Sequence, residues 1–334
     1  MWKMINYEVC GRGHLKTNIP CQDKTLITNK GNSYVIALAD GAGSASHSHY
    51  GAQIVVNTIS DFLINKFDEL ISNKNGVKVK GEILDVIRQA LLQESKKRSC
   101  DIKELASTIL AIAVKGDKFL IIHLGDGVIG FVKDNILKVA SKPENGEFSN
   151  STIFVTSGNA INYLKLYKGK TDGISGFAIM SDGTAESFYH KKSERLSMGI
   201  KKIIDWSILF PQQKIHELLV ESFNNIICKN TLDDCSIAIL VNNKVSNLLY
   251  SNLDFVSKCA FFDINTKYNR IAYKRIVKYE NLLKQLNYKP MNISMLAKSC
   301  HIKKKYLKRE IRKLELLGIV NFNNARYYSN LNIF

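Results

Sequence analysis

Val35-Ile36-Ala37-Leu38-Ala39-Asp40-Gly41-Ala42-Gly43-Ser44 is an apolar run that stops abruptly on an acid and a glycine. The run is short, rich in β-formers and closed by a turn pair, which predicts a strand ending at Asp40. The same arrangement recurs. Leu120-Ile121-Ile122-His123-Leu124 runs into Gly125-Asp126-Gly127, and Phe177-Ala178-Ile179-Met180 runs into Ser181-Asp182-Gly183. In reverse order, Asp233-Asp234 leads into Cys235-Ser236-Ile237-Ala238-Ile239-Leu240, and Gln22-Asp23 stands shortly before a strand. A single Asp-Gly after a strand is a hairpin turn, since Asp tolerates a left-handed backbone and Gly adopts one freely. Asp172-Gly173, which follows no apolar strand, reads as such a turn. Several carboxylates gathered at one end of a sheet repel one another unless a cation lies between them. Carboxylate oxygens suit hard ions such as Mg²⁺ and Mn²⁺.

Around these runs the pattern mixes strands and helices. Strands are expected over 34–39, 108–114, 119–124, 128–132, 177–180 and 236–241. Helical periodicity is expected over 51–71, 82–97, 196–209 and 213–227; Ile54, Val55, Ile59, Phe62, Leu63 and Phe67 mark one face of the first. Strands come in runs and helices in pairs, which argues for sheets with helices packed outside rather than a doubly wound parallel sheet. No dinucleotide-binding or Walker-type glycine loop occurs.

The 334 residues carry 47 Lys+Arg and 30 Asp+Glu, a net charge of +17. Such a surplus first suggests nucleic acid. Residues 255–334 hold 17 basic and 4 acidic residues, so +13 of the surplus lies in that segment and only +4 in the rest. The shift marks a domain boundary: residues 1–245, a connector 246–262, and a basic domain 263–334. The seven cysteines, at 10, 21, 100, 228, 235, 259 and 300, are odd in number and lack a C-x-x-C pair, so neither a disulfide framework nor a zinc knuckle is expected. Reduced thiols point to the cytoplasm. No apolar stretch is long enough to span a membrane, and residues 1–10 lack the apolar core of a signal peptide.

In order along residues 8–242, Gln22-Asp23, Ala39-Asp40-Gly41-Ala42-Gly43-Ser44, Ala106-Ser107-Thr108, Leu124-Gly125-Asp126-Gly127, Met180-Ser181-Asp182-Gly183 and Asp233-Asp234-Cys235-Ser236 resemble the motifs of metal-dependent type 2C protein phosphatases of the bacterial kind. The resemblance implies an α+β fold, a four-layer αββα sandwich of two antiparallel sheets flanked by helices. It implies a serine/threonine phosphatase holding two Mn²⁺ or Mg²⁺ ions, with a place for a third. By position, Asp40 matches the bridging ligand and Gly41 offers its carbonyl. Asp182 and Asp233 match the other direct ligands, and Asp23 the acid that holds metal-bound water. Asp126 matches a further, weaker metal site, and Glu186 falls where relatives often place another acid. The implied chemistry is attack of a metal-bridging hydroxide on a phosphomonoester, with no covalent nucleophile; no cysteine lies in a C-x5-R pattern. A phosphorylated protein and its cognate Ser/Thr kinase are the implied partners, in signalling.

The chain departs from that pattern. Asn18 stands where relatives carry the Arg that grips phosphate; Arg12, His14 and Lys16 are nearby, with His14 favoured. Gln22 replaces a common Glu, and Ala42 stands where some members have a His after Asp-Gly. His47 and His49 read as polar surface. These departures motivate a second reading, a weakly active or inactive phosphatase-like binding module.

Beyond residue 263 the pattern reads as a long helix over 266–286, then helix, turn, helix and hairpin, and it resembles a winged helix over 264–331. Lys304, Lys308 and Arg312, with Lys305, Arg309 and Arg326, form the basic set expected to meet DNA phosphates or a docking partner.

Overall fold

The computed structural model describes residues 2–144 and 152–330; the last four residues of the expected basic domain, 331–334, lie outside the described residues. The chain divides into two compact units. The first comprises Met1–Ile204 and His216–Asn242, the second Asp205–Ile215 and Asn243–Phe334.

The first unit is built on two antiparallel five-stranded sheets. Its strands are β1 (Trp2–Val9), β2 (Lys24–Lys30), β3 (Ser33–Ala39), β4 (Ile109–Lys115), β5 (Lys118–Leu124), β6 (Val128–Lys133), β7 (Ile136–Ser141), β8 (Lys165–Lys170), β9 (Ile174–Met180) and β10 (Cys235–Asn242). One sheet runs β1-β10-β9-β6-β7 and the other β2-β3-β4-β5-β8. Alternation along β3 explains why both faces are apolar. Val35, Ala37 and Ala39 pack towards helices α1 (Ser48–Ser72) and α2 (Gly76–Arg98), with Val55, Ile59, Leu63, Ile83 and Ile87. Ile36 and Leu38 face the other way and meet Phe177, Ile179, Ala238 and Leu240 of the second sheet. On that sheet's far side, Ile204 sits so close over Gly176 that a Cβ there would come within 2.8 Å of it. Tyr7 of β1 meets Phe223 edge-on with ring centres 5.4 Å apart.

The sandwich places the strand ends together. β3, β5 and β9 deliver Asp40, Asp126 and Asp182 just past their last residues, and β10 starts just after Asp233 and Asp234. The expected strands all occur, extended by a few residues. The expected helix over 213–227 ends instead at Ser222 and continues as a wider π turn over Phe223–Ile227.

The second unit contains α-helices Ser246–Ser251, Phe255–Phe261, Asn269–Tyr288, Ile293–Ser299 and Lys304–Leu316, then a hairpin of Val320–Asn323 and Arg326–Ser329. Residues 246–262 do not behave as the connector expected from sequence. Tyr250, Cys259, Phe261 and Phe262 are buried, Phe262 meets Tyr279 at 5.2 Å, and Phe210 meets Phe261 at 4.8 Å. Their aromatic side chains are core, and core residues hold a segment in place. Asn292 caps its helix by accepting from the Met295 N–H at 2.9 Å. The helix Lys304–Leu316 buries Leu307, Ile311 and Leu314. Asn324 and Ala325 take left-handed backbone at the two-residue hairpin turn. Met291 pairs with Tyr327, adding a third short strand segment beside the hairpin.

Candidate active site

Backbone stitching fixes the acidic end of the first unit. The Asp40 N–H donates to Thr108 Oγ1 at 2.9 Å, and the Thr108 N–H donates back to the Asp40 carbonyl at 2.8 Å. The Gly41 N–H donates to the Gln22 carbonyl at 3.2 Å, so the Gln22-Asp23 segment lies alongside. Gly125, at φ +118°, lets the chain turn against Thr108; a Cβ there would fall 2.5 Å from the Thr108 Cγ2. Asp182 opens a short helix, Asp182–Phe188, and its Oδ1 accepts from the Gly183 N–H at 2.6 Å. Thr152 Oγ1 donates to Asp126 Oδ2 at 2.5 Å.

One carboxylate oxygen each from Asp40, Asp126 and Asp182 lies within 4.8 Å of the others. Asp233 and Glu186 stand just outside this group. Asp233's charge reaches Asp40 and Asp182, and Glu186's charge reaches Asp233. Asp23 is 1% exposed, and its Oδ2 has no hydrogen-bond partner. A buried acceptor left bare is costly.

Burial, reinforced by Asp23, Asp182, Asp233 and Asp126, pushes the Asp40 carboxyl well above the usual carboxylate range. Burial, with Asp233 and Asp126, raises Asp182 to about 7. Burial raises Asp23 to about 8, against the hydroxyls of Ser236 and Ser181 that favour its anion. Burial also raises Asp233. Crowded acids with one oxygen unsatisfied are the donor set of a hard divalent cation, so the residues present fit the metal ions that the sequence implies.

Asp234 behaves oppositely to its neighbour. Burial alone would raise it, but the N–H groups of Gly11 and Gln22, each 2.6 Å from one of its oxygens, and His14 outweigh that and hold it below the usual range. His14 Nδ1 is 3.0 Å from Asp234 Oδ1. Of the groups expected to replace the missing Arg, only His14 reaches this acidic pair. Arg12 is spent on the carbonyls of Lys229 and Thr231. Asn18 is exposed at the left-handed end of the short helix Arg12–Thr17, and Lys16 is exposed as well.

Beside Asp126 and Asp182 opens a cavity of about 390 Å³, lined also by Glu186, Lys142, Tyr189 and Lys191. The surroundings of the nearby thiols disfavour the thiolate. Burial and Asp234 push Cys10 up to about 11, and Cys21 moves in the same direction for the same reasons.

Sequence reasoning named the converging acids but missed two contributors. In the sequence Asp234 stands out only as a neighbour of Asp233, and its amide partners lie more than 200 residues away. Thr152 stands in a stretch without periodicity. In the second unit Lys304, Lys305, Lys308, Arg309, Arg312 and Arg326 are exposed; Lys304 also donates to Ser294 Oγ at 2.9 Å. No helix among the described residues is long and apolar enough to cross a membrane.

Comparisons with known proteins agree with this geometry. Serine/threonine-protein phosphatase 3 of Escherichia coli (strain K12) is 27% identical over 192 residues, covering 53% of this chain and 76% of that protein. A crystal structure described as a bacterial serine phosphatase superposes with a TM-score of 0.52 at 13% identity, covering 72% of this chain and 98% of the other. Serine/threonine phosphatase Stp1 from Staphylococcus aureus gives 0.50 at 13% identity, covering 72% and 95%. At such identities the structural likenesses speak for the fold alone. The profile described as Protein phosphatase 2C matches residues 10–219, well over half of the chain. On that match the chain belongs to the protein phosphatase 2C family of serine/threonine phosphatases.

Proposed function

We propose that the amino-terminal region, residues 1–245, hydrolyses phosphoserine and phosphothreonine esters on proteins with two Mn²⁺ or Mg²⁺ ions. Asp40, Asp182, Asp233 and the Gly41 carbonyl would hold the two ions, with Asp126 and Glu186 at a third position and Asp23 beside the centre. When bound, such ions supply an acidified water and neutralise charge on the phosphoryl oxygens. The observation that carries this reading is the convergence of Asp40, Asp126 and Asp182 within 4.8 Å, next to a buried Asp23 with an unsatisfied oxygen.

The chain's own groups then divide the work. Asp40 is pinned on both sides of its backbone by Thr108, so its carboxylate cannot drift from the centre. His14, held against the anionic Asp234, is the group suited to grip the substrate phosphate in place of the absent Arg. The cavity beside Asp126 and Asp182, with Lys142, Tyr189 and Lys191 on its walls, gives room for residues flanking the phosphorylated side chain.

The test is hydrolysis of p-nitrophenyl phosphate and of a phosphothreonine peptide with Mn²⁺ and with EDTA. Turnover that requires Mn²⁺ and disappears in Asp182→Asn is expected. Metal binding without turnover would favour the second reading, a phosphatase-like binding module, which the loss of the Arg at position 18 motivates.

For residues 263–334 we propose a winged-helix module that docks on DNA through Lys304, Lys305, Lys308, Arg309, Arg312 and Arg326. A three-helix arrangement followed by a hairpin, and the exposed basic row on Lys304–Leu316, support it. A phosphoprotein substrate and its cognate Ser/Thr kinase complete a bacterial signalling role in the cytoplasm; seven unpaired cysteines agree with a reducing compartment.

A further inference from the structure

A second group of metal-ligating side chains lies next to the carboxylate cluster. One donor atom each from Cys10, His14 and Asp234 lies within 4.8 Å of the others. We propose that these three residues form a cation site of different chemistry, one that takes a thiophilic transition metal of the zinc class. Its consequence for turnover rests on the phosphatase reading above; the site itself does not.

The donor set is one sulfur, one imidazole and one carboxylate. Zinc accepts all three and commonly leaves a fourth position to water. Mn²⁺ and Mg²⁺ prefer oxygen throughout and find that in Asp40, Asp126 and Asp182. Cys10 and His14 stand four residues apart where the short helix Arg12–Thr17 begins. Asp234 is delivered from the other end of the unit's sequence, just ahead of β10.

Asp234 is preorganised as a ligand. The Gly11 and Gln22 N–H groups each occupy one of its oxygens at 2.6 Å, which fixes the carboxylate plane and leaves further lone pairs for a cation. Its side chain is 2% exposed. His14 Nδ1 is buried and close to Asp234, yet makes no aligned hydrogen bond. A ring nitrogen in that state can turn its lone pair to a metal. The Cys10 thiol makes long contacts, 3.8 Å each, to the carbonyls of Gly11 and Ile19, and it also meets the Asp234 carboxylate. The His14 side chain is 19% exposed, so an ion can enter from solvent.

Binding involves no redox change. A hydrated Zn²⁺ gives up waters to the three side chains and keeps one. The Cys10 thiol becomes a thiolate, and its proton leaves to solvent. His14 then donates its lone pair to zinc and no longer grips phosphate. Occupation therefore opposes turnover while the carboxylate cluster stays loaded.

The experiment uses the full chain carrying Asp40→Asn and Asp182→Asn, which removes the oxygen-ligand site. Co²⁺ serves as the spectroscopic stand-in for zinc. One equivalent should bind with a thiolate-to-cobalt charge-transfer absorption that Zn²⁺ abolishes and that Cys10→Ser lacks. If the double variant does not fold, the same titration is made on the wild type saturated with Mg²⁺. No such absorption in the protein that folds, or its persistence in Cys10→Ser, overturns the site. In a second arm, wild type and Cys10→Ser are assayed at saturating Mn²⁺ against added Zn²⁺. Their activities without zinc should match. Zinc should act on wild type at concentrations at least ~10-fold lower, an effect no smaller than that of removing an outer partner of a metal ligand. Equal sensitivity overturns the regulatory consequence. Absence of turnover with Mn²⁺ alone would count against the phosphatase reading and leave the cobalt result standing.

Discussion

Removing divalent cations should make this protein lose stability as pH rises above neutrality. Asp23 goes from its ordinary 3.8 to about 8 and Asp182 from 3.8 to about 7, both chiefly through burial. An acid whose folded pKa is raised keeps its proton in the folded state after the unfolded chain has lost it. That contribution is whole below pH ~4 and is lost as pH climbs through the folded value. Two other groups work in the opposite sense, His123 below the window and Lys3 above it. His123, pushed down to about 3 by burial, contributes stability that is complete above its ordinary 6.5 and fades as pH falls. The clean window for the carboxylates therefore runs from pH 6.5 to about 8, where Lys3, lowered to about 8 by burial, begins to add stability as pH rises. Across that window, Asp23 retains a proton that the unfolded chain does not. At about 1.36 kcal/mol per pH unit this amounts to ~2 kcal/mol. The acids share their protons, so the cluster is assigned the value of one group rather than a sum. For a unit of this size, ~2 kcal/mol corresponds to about 4–8 °C in Tm. The assay is a thermal melt in EDTA at intervals from pH 6.5 to about 8, repeated with Mn²⁺. The Tm in EDTA should fall by that amount, Mn²⁺ should reverse the fall at the upper end, and Asp23→Asn should flatten the curve. A Tm in EDTA that is flat or rising across the window would refute the reasoning, because the acids would then not be carrying the protons that a cation replaces.

Asp234→Ala should lower turnover through His14 and cost about 1–3 kcal/mol of stability for each of the two buried backbone N–H groups left without an acceptor; denaturant melts and steady-state kinetics measure the two effects. Gly183→Ala should destabilise the first unit, because the new Cβ would come 2.2 Å from the Asp234 carbonyl oxygen, a clash that only backbone movement relieves; a lowered midpoint in urea checks it. Leu307→Ala, at a fully buried position under the basic helix, should cost about 2–5 kcal/mol in the second unit. Binding of duplex DNA should weaken steeply with salt, and the slope of log K against log salt should become shallower by about 0.9 for each phosphate left without its cation when Lys304, Lys308 and Arg312 become Ala; salt-insensitive binding, or none at low salt, would remove the DNA reading.

The acids were legible because strand alternation and Asp-Gly punctuation are local signals. Each of Asp40, Asp126 and Asp182 follows an apolar run whose end can be seen without a structure. What local patterns could not carry is who meets whom. The stretch 246–262 looks like a connector because its helices are only six and seven residues long, too short to show a period. Its membership of the second unit depends on Phe261 finding Phe210 and Phe262 finding Tyr279, both outside the stretch, with Tyr250 set edge-on against Phe261. Thr152 is invisible for the same reason. It matters only because the chain returns it to Asp126, 26 residues back.

The pair Asp233-Asp234 shows how two identical residues acquire opposite tasks. Both lead into β10, where successive side chains point to opposite sides. On one side, burial, with the charges of Asp234 and Glu186, raises Asp233 above the usual carboxylate range. The other holds the Gly11 and Gln22 N–H groups and His14, so Asp234 stays ionised without a metal. Composition cannot separate them, since the residue type and the local sequence are shared. Two parts of the chain more than 200 residues upstream decide the matter by presenting amide hydrogens to one carboxylate and not to the other. The anion so fixed then sets what can sit beside it, and the His14 imidazole is the ring that reaches it. Asp234 is thus an immobile anion inside the fold, held by amides from two distant segments, and the short His14 imidazole is seated against it at 3.0 Å.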